Sequence, residues 1–113
     1  MTEEAKRNLH VMVNGTCAGE LLRRMVPEQV RKEIDFALAV GATKHQRWSS
    51  GRPRSYYVGA IERHWEKYLA GERFDKDDGQ SHLAAMQVRL MQLEDKDQKR
   101  DKGDANKLES GAT

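Results

Sequence analysis

Between Phe36 and Ile61 the chain carries Lys44, His45, Arg47, Arg52 and Arg54 and not one carboxylate. Downstream, Arg63 and His64 lead to Asp75, Asp77 and Asp78 and then to His82. A cationic segment containing glycine and serine suits phosphate, because arginine offers a bidentate fork and lysine a point charge. Carboxylates with one or two histidines suit Mg²⁺ or Mn²⁺, which prefer oxygen ligands and tolerate imidazole. An anionic, phosphate-bearing ligand needs both sets, and a metal bound there would orient a triphosphate and help to generate an attacking hydroxide. No Walker-type glycine loop, HExxH helix or GxSxG elbow is present in the sequence.

Each residue taken singly also has a structural reading. Asp75, Asp77 and Asp78 precede a predicted helix N-terminus, where carboxylates interact favourably with the helix dipole. A histidine at the boundary of an apolar stripe serves as a hydrogen-bonded packing residue, and Glu33 serves as a solvated helix charge. Trp65 lies in an apolar stripe and is expected in the core. Trp48, beside Arg47 and Gly51, is expected either to stack on a base or to close over the core.

Three helices must position these groups. The first opens at Pro27, a residue favoured at helix starts, and lines one face with Val30, Ile34, Ala37 and Gly41. The second spans residues 55–69, with Val58, Ile61, Trp65 and Tyr68 on one face. The third begins near Ser81, a suitable N-cap, and continues with Leu83, Met86, Leu90 and Leu93. Gly71 and Gly79 punctuate the intervening segment. Leu9–Val13 is the nearest approach to a strand, and one short run makes no sheet. The expected fold is therefore all-α, a compact bundle of three main helices. Residues 1–26 are left without a definite structure, 27–94 form the helical domain, and 95–113 form a charged tail that is disordered or a frayed helical extension.

On this reading Glu33, His64 and His82 flank their apolar stripes and point along the groove between helices, where bundle sites are built. Glu28, Lys32, Glu62 and Arg63 point outward in a monomer and toward a neighbouring chain in an oligomer. Charged residues make up 34% of the chain and apolar ones 37%, so the core is small. Small cores often gain stability by association. Leu38, Val40, Val88 and Met91, assigned to exposed faces, supply a second packing surface for a dimer or tetramer.

Residues 1–93 hold 15 basic against 12 acidic groups, and residues 94–113 hold 5 against 6. The resulting +2 is too mild to mark a nucleic-acid binder. Cys17 is the single cysteine, so an intrachain disulfide is excluded. Neither a membrane-spanning apolar run nor a signal-peptide core is visible, and a cytoplasmic location is expected.

The runs VPEQVRKEIDFALAVGATKHQRW, YYVGAIERHWEKYLAGE and DKDDGQSHLA resemble the phage-associated dATP/dGTP diphosphohydrolase N-terminal domain family, related to the all-α MazG-like nucleotide pyrophosphohydrolases. The matching marks are Pro27-Glu28, Gly41-Ala42 with Lys44, Trp48, Arg63-His64, Gly71-Glu72, Asp75, and Gly79 with His82. They run in order from Val26 to Leu93. The resemblance implies metal-dependent cleavage of a (deoxy)nucleoside triphosphate to monophosphate and pyrophosphate. It also implies Mg²⁺ or Mn²⁺, a homo-oligomer, and a setting in phage nucleotide-pool remodelling inside an infected cell. Carried onto this chain, Glu28, Glu33, Asp75 and Asp78 become candidate metal carboxylates, and Lys44, Arg47, Trp48 and Arg63 candidate substrate contacts. Glu33, His64 and His82 become candidate catalytic groups. The chain departs from the family pattern at His45, where tyrosine is usual, at Arg47, where asparagine often stands, and at Ala85, where a second histidine is usual. The paired ExxE and ExxD signature of MazG-like enzymes is not located, and Glu62 and Glu66 are spaced by four. The competing reading is a non-catalytic nucleotide- or nucleic-acid-binding protein, or a small inhibitor of a host protein, on the same fold.

Overall fold

The computed structural model describes residues 1–15, 17–49 and 51–109, with side chains described as far as residue 102. Among the described residues five helices follow one another: α1 (Glu3–Asn14), α2 (Glu20–Met25), α3 (Glu28–His45), α4 (Arg54–Leu69) and α5 (His82–Glu109). No strand forms among the described residues; a single antiparallel bridge joins Phe74 to Ser81. The all-α expectation is met, with α3, α4 and α5 where the periodicity located helices. The chain divides into two compact units, Met1–Arg31 and Lys32–Thr113.

In the first unit, Thr2 caps α1 by accepting from the Ala5 N–H, and Glu3 and Glu4 add negative charge to the first turn. The Leu9–Val13 run lies inside this capped helix, so the strand candidate is helical. Gly19 starts α2 with φ +81°, and Glu20 pairs with Arg24 one turn on. Val26 is extended, as a residue preceding proline must be. Pro27 then supplies the carbonyl for the first turn of α3, accepting from the Arg31 N–H at 3.2 Å.

The second unit holds the rest of α3 with α4 and α5. Apart from Tyr57, its buried apolar residues are small: Ala60 on α4, and a cluster of Ala37 on α3 with Ala84, Ala85 and Val88 on α5, against which Ile34 and Leu38 pack. Gly41 is also buried on α3. Small side chains let helices approach closely, and they change which faces are inside. On α4 the buried line is Tyr57 and Ala60, continuing to half-buried His64; on α5 it is Ala85, Val88 and Gln92, led in by the preceding Ser81. Trp65, expected in the core, is 44% exposed and stacks on Tyr68 with ring centroids 5.7 Å apart. Val58, Leu83 and Leu90, assigned to interior stripes, are exposed as well, whereas Val88, assigned to the outside, is core. Ranking faces by large apolar residues misplaces both helices, because here polar side chains with hydrogen-bond partners fill the interior positions.

The cationic segment after α3 is folded back onto the other two helices. Fully buried Tyr57 places its hydroxyl 3.0 Å from Ser49 Oγ and accepts from the Arg52 N–H at 3.1 Å. Buried Gln92 donates its side-chain amide to the Trp48 carbonyl. The α4 end is a Schellman turn: Gly71, at φ +98°, donates to Tyr68 O, and Glu72 donates to Lys67 O, both at 3.0 Å. Ser81 caps α5 by accepting from the Ala84 N–H. Of the two forms expected from residue 95 onward, the described backbone is helical to Glu109; residues 110–113 lie outside the described residues.

Tyr57→Phe is expected to destabilise the protein by about 1 kcal/mol, since it removes a buried hydroxyl that holds two points of the loop. Urea denaturation should show a lower midpoint with an unchanged slope.

Candidate functional site

Within the second unit, an open cleft of about 220 Å³ is formed by the C-terminal end of α3, the middle of α4, the loop before α5 and one residue of α5. Lys44 enters from α3, Tyr56, Arg63, His64 and Lys67 from α4, and Arg89 from α5. The loop contributes Asp75, Asp77, Asp78 and Gln80. Arg63, His64 and Lys67 share one face because they are spaced by three and four residues along a helix. Gly59, one turn earlier, leaves room for the Arg63 guanidinium: a Cβ there would lie 3.2 Å from its Nη1.

The loop is shaped by its own carboxylates. Asp75 Oδ1 accepts from the Asp77 N–H at 2.8 Å and the Asp78 N–H at 3.3 Å, an Asx turn. Asp78 Oδ1 accepts from the Gln80 N–H at 3.1 Å, and Gly79 takes φ +77° to complete the reversal. The outer carboxylate oxygens face lysines, with Lys67 Nζ 3.6 Å from Asp75 Oδ2 and Lys44 Nζ 3.4 Å from Asp78 Oδ2. Burial alone would raise the Asp75 pKa, but the two backbone N–H groups, Lys67 and His82 outweigh it and hold the carboxyl below its ordinary value.

Behind the cleft lies His82, fully buried. Its Nδ1 is 2.8 Å from His64 Nδ1 and its Nε2 is 3.2 Å from Glu72 Oε1. That hydrogen bond is the main reason the Glu72 carboxyl is held below its ordinary pKa. His64 is pushed the other way from a cation: burial first, then His82 and Arg89, lower its pKa, so the ring is neutral at neutral pH. Tyr56, in the cleft lining, has the guanidinium carbon of Arg89, also in the lining, 5.8 Å from its ring centroid and that of Arg52, outside the lining, 5.2 Å from it. Glu72, Asp75 and His82 each place one donor atom within 4.8 Å of the others, and two carboxylates with an imidazole fit a divalent cation in spacing and chemistry.

Of the residues named from the sequence, Lys44, Arg63, His64, Asp75 and Asp78 come together in the cleft, and His82 stands directly behind it. Arg63, expected to point outward, lines the cleft because α4 is rotated relative to its expected face. Glu33 does not line the cleft; it pairs with Arg73 at 3.4 Å. Arg47 and Trp48 also lie outside the lining, with the Arg47 guanidinium against Gly51 and Trp48 held through its carbonyl. Glu28 is exposed in the first turn of α3, in the first unit. Sequence reasoning missed Lys67, Glu72 and Arg89 as parts of the site. Lys67 was detectable, lying three and four residues from His64 and Arg63, whereas Glu72 and Arg89 depend on how the loop and α5 meet α4.

A family model described as dATP/dGTP diphosphohydrolase, N-terminal, matches residues 14–106, and the chain belongs to that family. It is the family that the runs from Val26 to Leu93 resemble. Comparison with curated proteins and with solved structures gave no match.

The lowered pKa of Asp75 fixes the sign of one pH effect. Its ionised form stabilises the fold above the ordinary carboxylate value of about 3.9. That contribution disappears as the pH falls through the lower folded-state value. Asp75→Asn is expected to lower stability by about 1 kcal/mol at neutral pH. The gap to the parent should close on acidification, as measured by thermal melts across the acid range.

Proposed function

With membership of that family as the premise, we propose that the protein is a nucleotide pyrophosphohydrolase. It cleaves a (deoxy)nucleoside triphosphate to monophosphate and pyrophosphate with Mg²⁺ or Mn²⁺. The observation that carries this reading is the cleft itself, in which Lys44, Arg63, Lys67 and Arg89 surround a space edged by three aspartates and a neutral histidine. Its volume of about 220 Å³ suits a phosphate chain. The interleaved carboxylates favour a small metal-bound anion over a nucleic-acid strand.

In this mechanism the four cations bind the phosphate oxygens and stabilise the charge that develops as the bond between the α- and β-phosphates breaks. Asp75 and Asp78 would hold the cation, which would supply Lewis-acid polarisation and a more acidic water. Lys44 and Lys67, now paired with those carboxylates, are positioned to turn to the phosphates. His64, held from behind by His82, acts on the attacking water, and Tyr56 closes the wall beside Arg89. Glu33, paired with Arg73, carries less of the chemistry than its sequence position suggested.

We propose further that the working form is a homo-oligomer. Val58, Trp65 and Leu69 are exposed, and their spacing of seven and four residues sets them on one face of α4. A second copy covers this face. Trp65→Glu is expected to shift the protein to a lower mass in sedimentation velocity experiments.

The activity is tested by product analysis with the common dNTPs and NTPs, with Mg²⁺, Mn²⁺ or EDTA. Pyrophosphate and monophosphate should appear only with metal. Arg63→Ala and Lys67→Ala should each lower kcat/KM about 10- to 100-fold, the worth of one charge-assisted phosphate contact. Metal-dependent nucleotide binding without turnover of any nucleotide would leave a binding protein on the same fold.

A further inference from the structure

The phosphate cleft leaves part of a nucleotide unhoused. Its volume of about 220 Å³ falls below the roughly 300 Å³ at which sites for whole small molecules begin. A nucleoside attached to phosphates held there must therefore lie at the mouth. Trp48 and the Trp65–Tyr68 stack are outside the lining. Tyr56 is in it, on the same face of α4 as Ala60, Arg63 and Lys67. Tyr56 precedes Arg63 by seven residues, which is two turns, or about 10 Å along the axis. A sugar and one phosphate span a distance of that order.

The half-buried Tyr56 ring is held from several sides. Fully buried Tyr57 meets it edge-on, with centroids 5.4 Å apart and planes at 84°. Arg89, beside the ring, is itself fixed, because its Nη1 donates to the Gln92 side-chain oxygen at 2.9 Å. Arg52 is anchored by its backbone, whose N–H donates to the Tyr57 hydroxyl. Its side chain is exposed and lies over the Tyr56 ring, and among the described residues no carboxylate pairs with it. One cation beside the ring is therefore fixed in the cleft, and the other is movable and outside it.

We propose that Tyr56 is the base platform of the site: the nucleobase lies flat on its ring, and the Arg52 guanidinium moves outward to cover the other face of the base. This rests on the nucleotide reading above. Aromatic rings and guanidinium planes both stack on bases, and every base has a π face. Arg89, in the lining, stays with the phosphates. The cationic segment after Phe36 reaches the cleft lining only through Lys44, and the platform gives Arg52 a separate task. The base-stacking role open to Trp48 from the sequence passes to Tyr56, which the fold places on the cleft wall.

The test is calorimetric titration of the full chain with two probes in the presence of Mg²⁺. One is the α,β-methylene analogue of dATP, whose carbon bridge cannot be hydrolysed; the other is inorganic tripolyphosphate. Tyr56→Leu should weaken the analogue about 10-fold, the worth of one stacked base, and leave tripolyphosphate within about twofold of the parent. Tyr56→Phe, which keeps the ring, should retain analogue binding. Arg52→Ala should act like Tyr56→Leu on a smaller scale, whereas Arg89→Ala should weaken both probes. Equal weakening of both probes by Tyr56→Leu overturns the proposal, since the ring would then only shape the cleft. An analogue affinity that Tyr56→Leu leaves unchanged overturns it as well.

A second measurement needs no substitution. In the unaltered chain carrying ¹³C-labelled tyrosine, the base H8 of the analogue should give nuclear Overhauser contacts to the Tyr56 ring. Tripolyphosphate should leave the shifts of that ring nearly in place. Base contacts to Tyr68 instead of Tyr56, or to no tyrosine, overturn the proposal. A parent chain that binds neither probe overturns it together with the nucleotide reading. Analogue binding through Tyr56 without turnover of any nucleotide sinks the hydrolase reading alone and leaves the base platform standing.

Discussion

A fully buried imidazole sets the terms for the second unit. His82 begins α5, and both of its ring nitrogens must be satisfied because an unpaired polar atom in the interior is costly. His64 satisfies one from α4 and Glu72 the other from the loop. The backbone N–H of His82 is bonded to the Arg73 carbonyl as well. One residue therefore fixes the start of α5, the rotation of α4 and the path of the connecting loop. The rotation of α4 brings Arg63 and Lys67 to the cleft along with His64. The loop path brings Asp75 and Asp78 to face Lys67 and Lys44.

The interior around that residue is made of small side chains. Alanines at 37, 60, 84 and 85 give little apolar burial each, and Tyr57 and Gln92 spend interior space on clamping a loop. The large apolar residues that would normally fill such a core, Trp65, Leu69 and Leu90 among them, remain outside. A small core and an apolar exterior are two sides of one arrangement, and the proposed association of copies would cover that exterior.

Charge in the cleft is arranged in alternating partners. Lys44 meets Asp78 and Lys67 meets Asp75, and the same lysines and aspartates are the groups proposed for phosphate and metal. Each lysine holds a carboxylate in place of the ligands the two would take. A divalent cation on the aspartates would release the lysines, and phosphate on the lysines would release the aspartates. Binding of one therefore favours the other, provided that each ligand replaces the ion pair it breaks.

The sequence by itself determined the helical class, the positions of α3, α4 and α5, and the capping role of Ser81, because periodicity, glycine and N-cap chemistry act within a few residues of the chain. It also singled out Lys44, Arg63, His64, Asp75, Asp78 and His82, which the fold brings together at or directly behind the cleft, and the family to which the chain belongs. It did not reveal α1 and α2, because the Leu9–Val13 run in α1 alternates like a short strand and α2 is only six residues long. Only the tertiary structure decided which sides of α4 and α5 are interior. There the hydrogen bonding of Tyr57, His64, His82 and Gln92 outweighs the pull of Val58, Trp65, Leu83 and Leu90, and polar complementarity of this kind exists only between elements distant in sequence. For the same reason Glu72 could be recognised as the partner of His82 only in three dimensions, and Glu33 set apart from the cleft by its bond to Arg73.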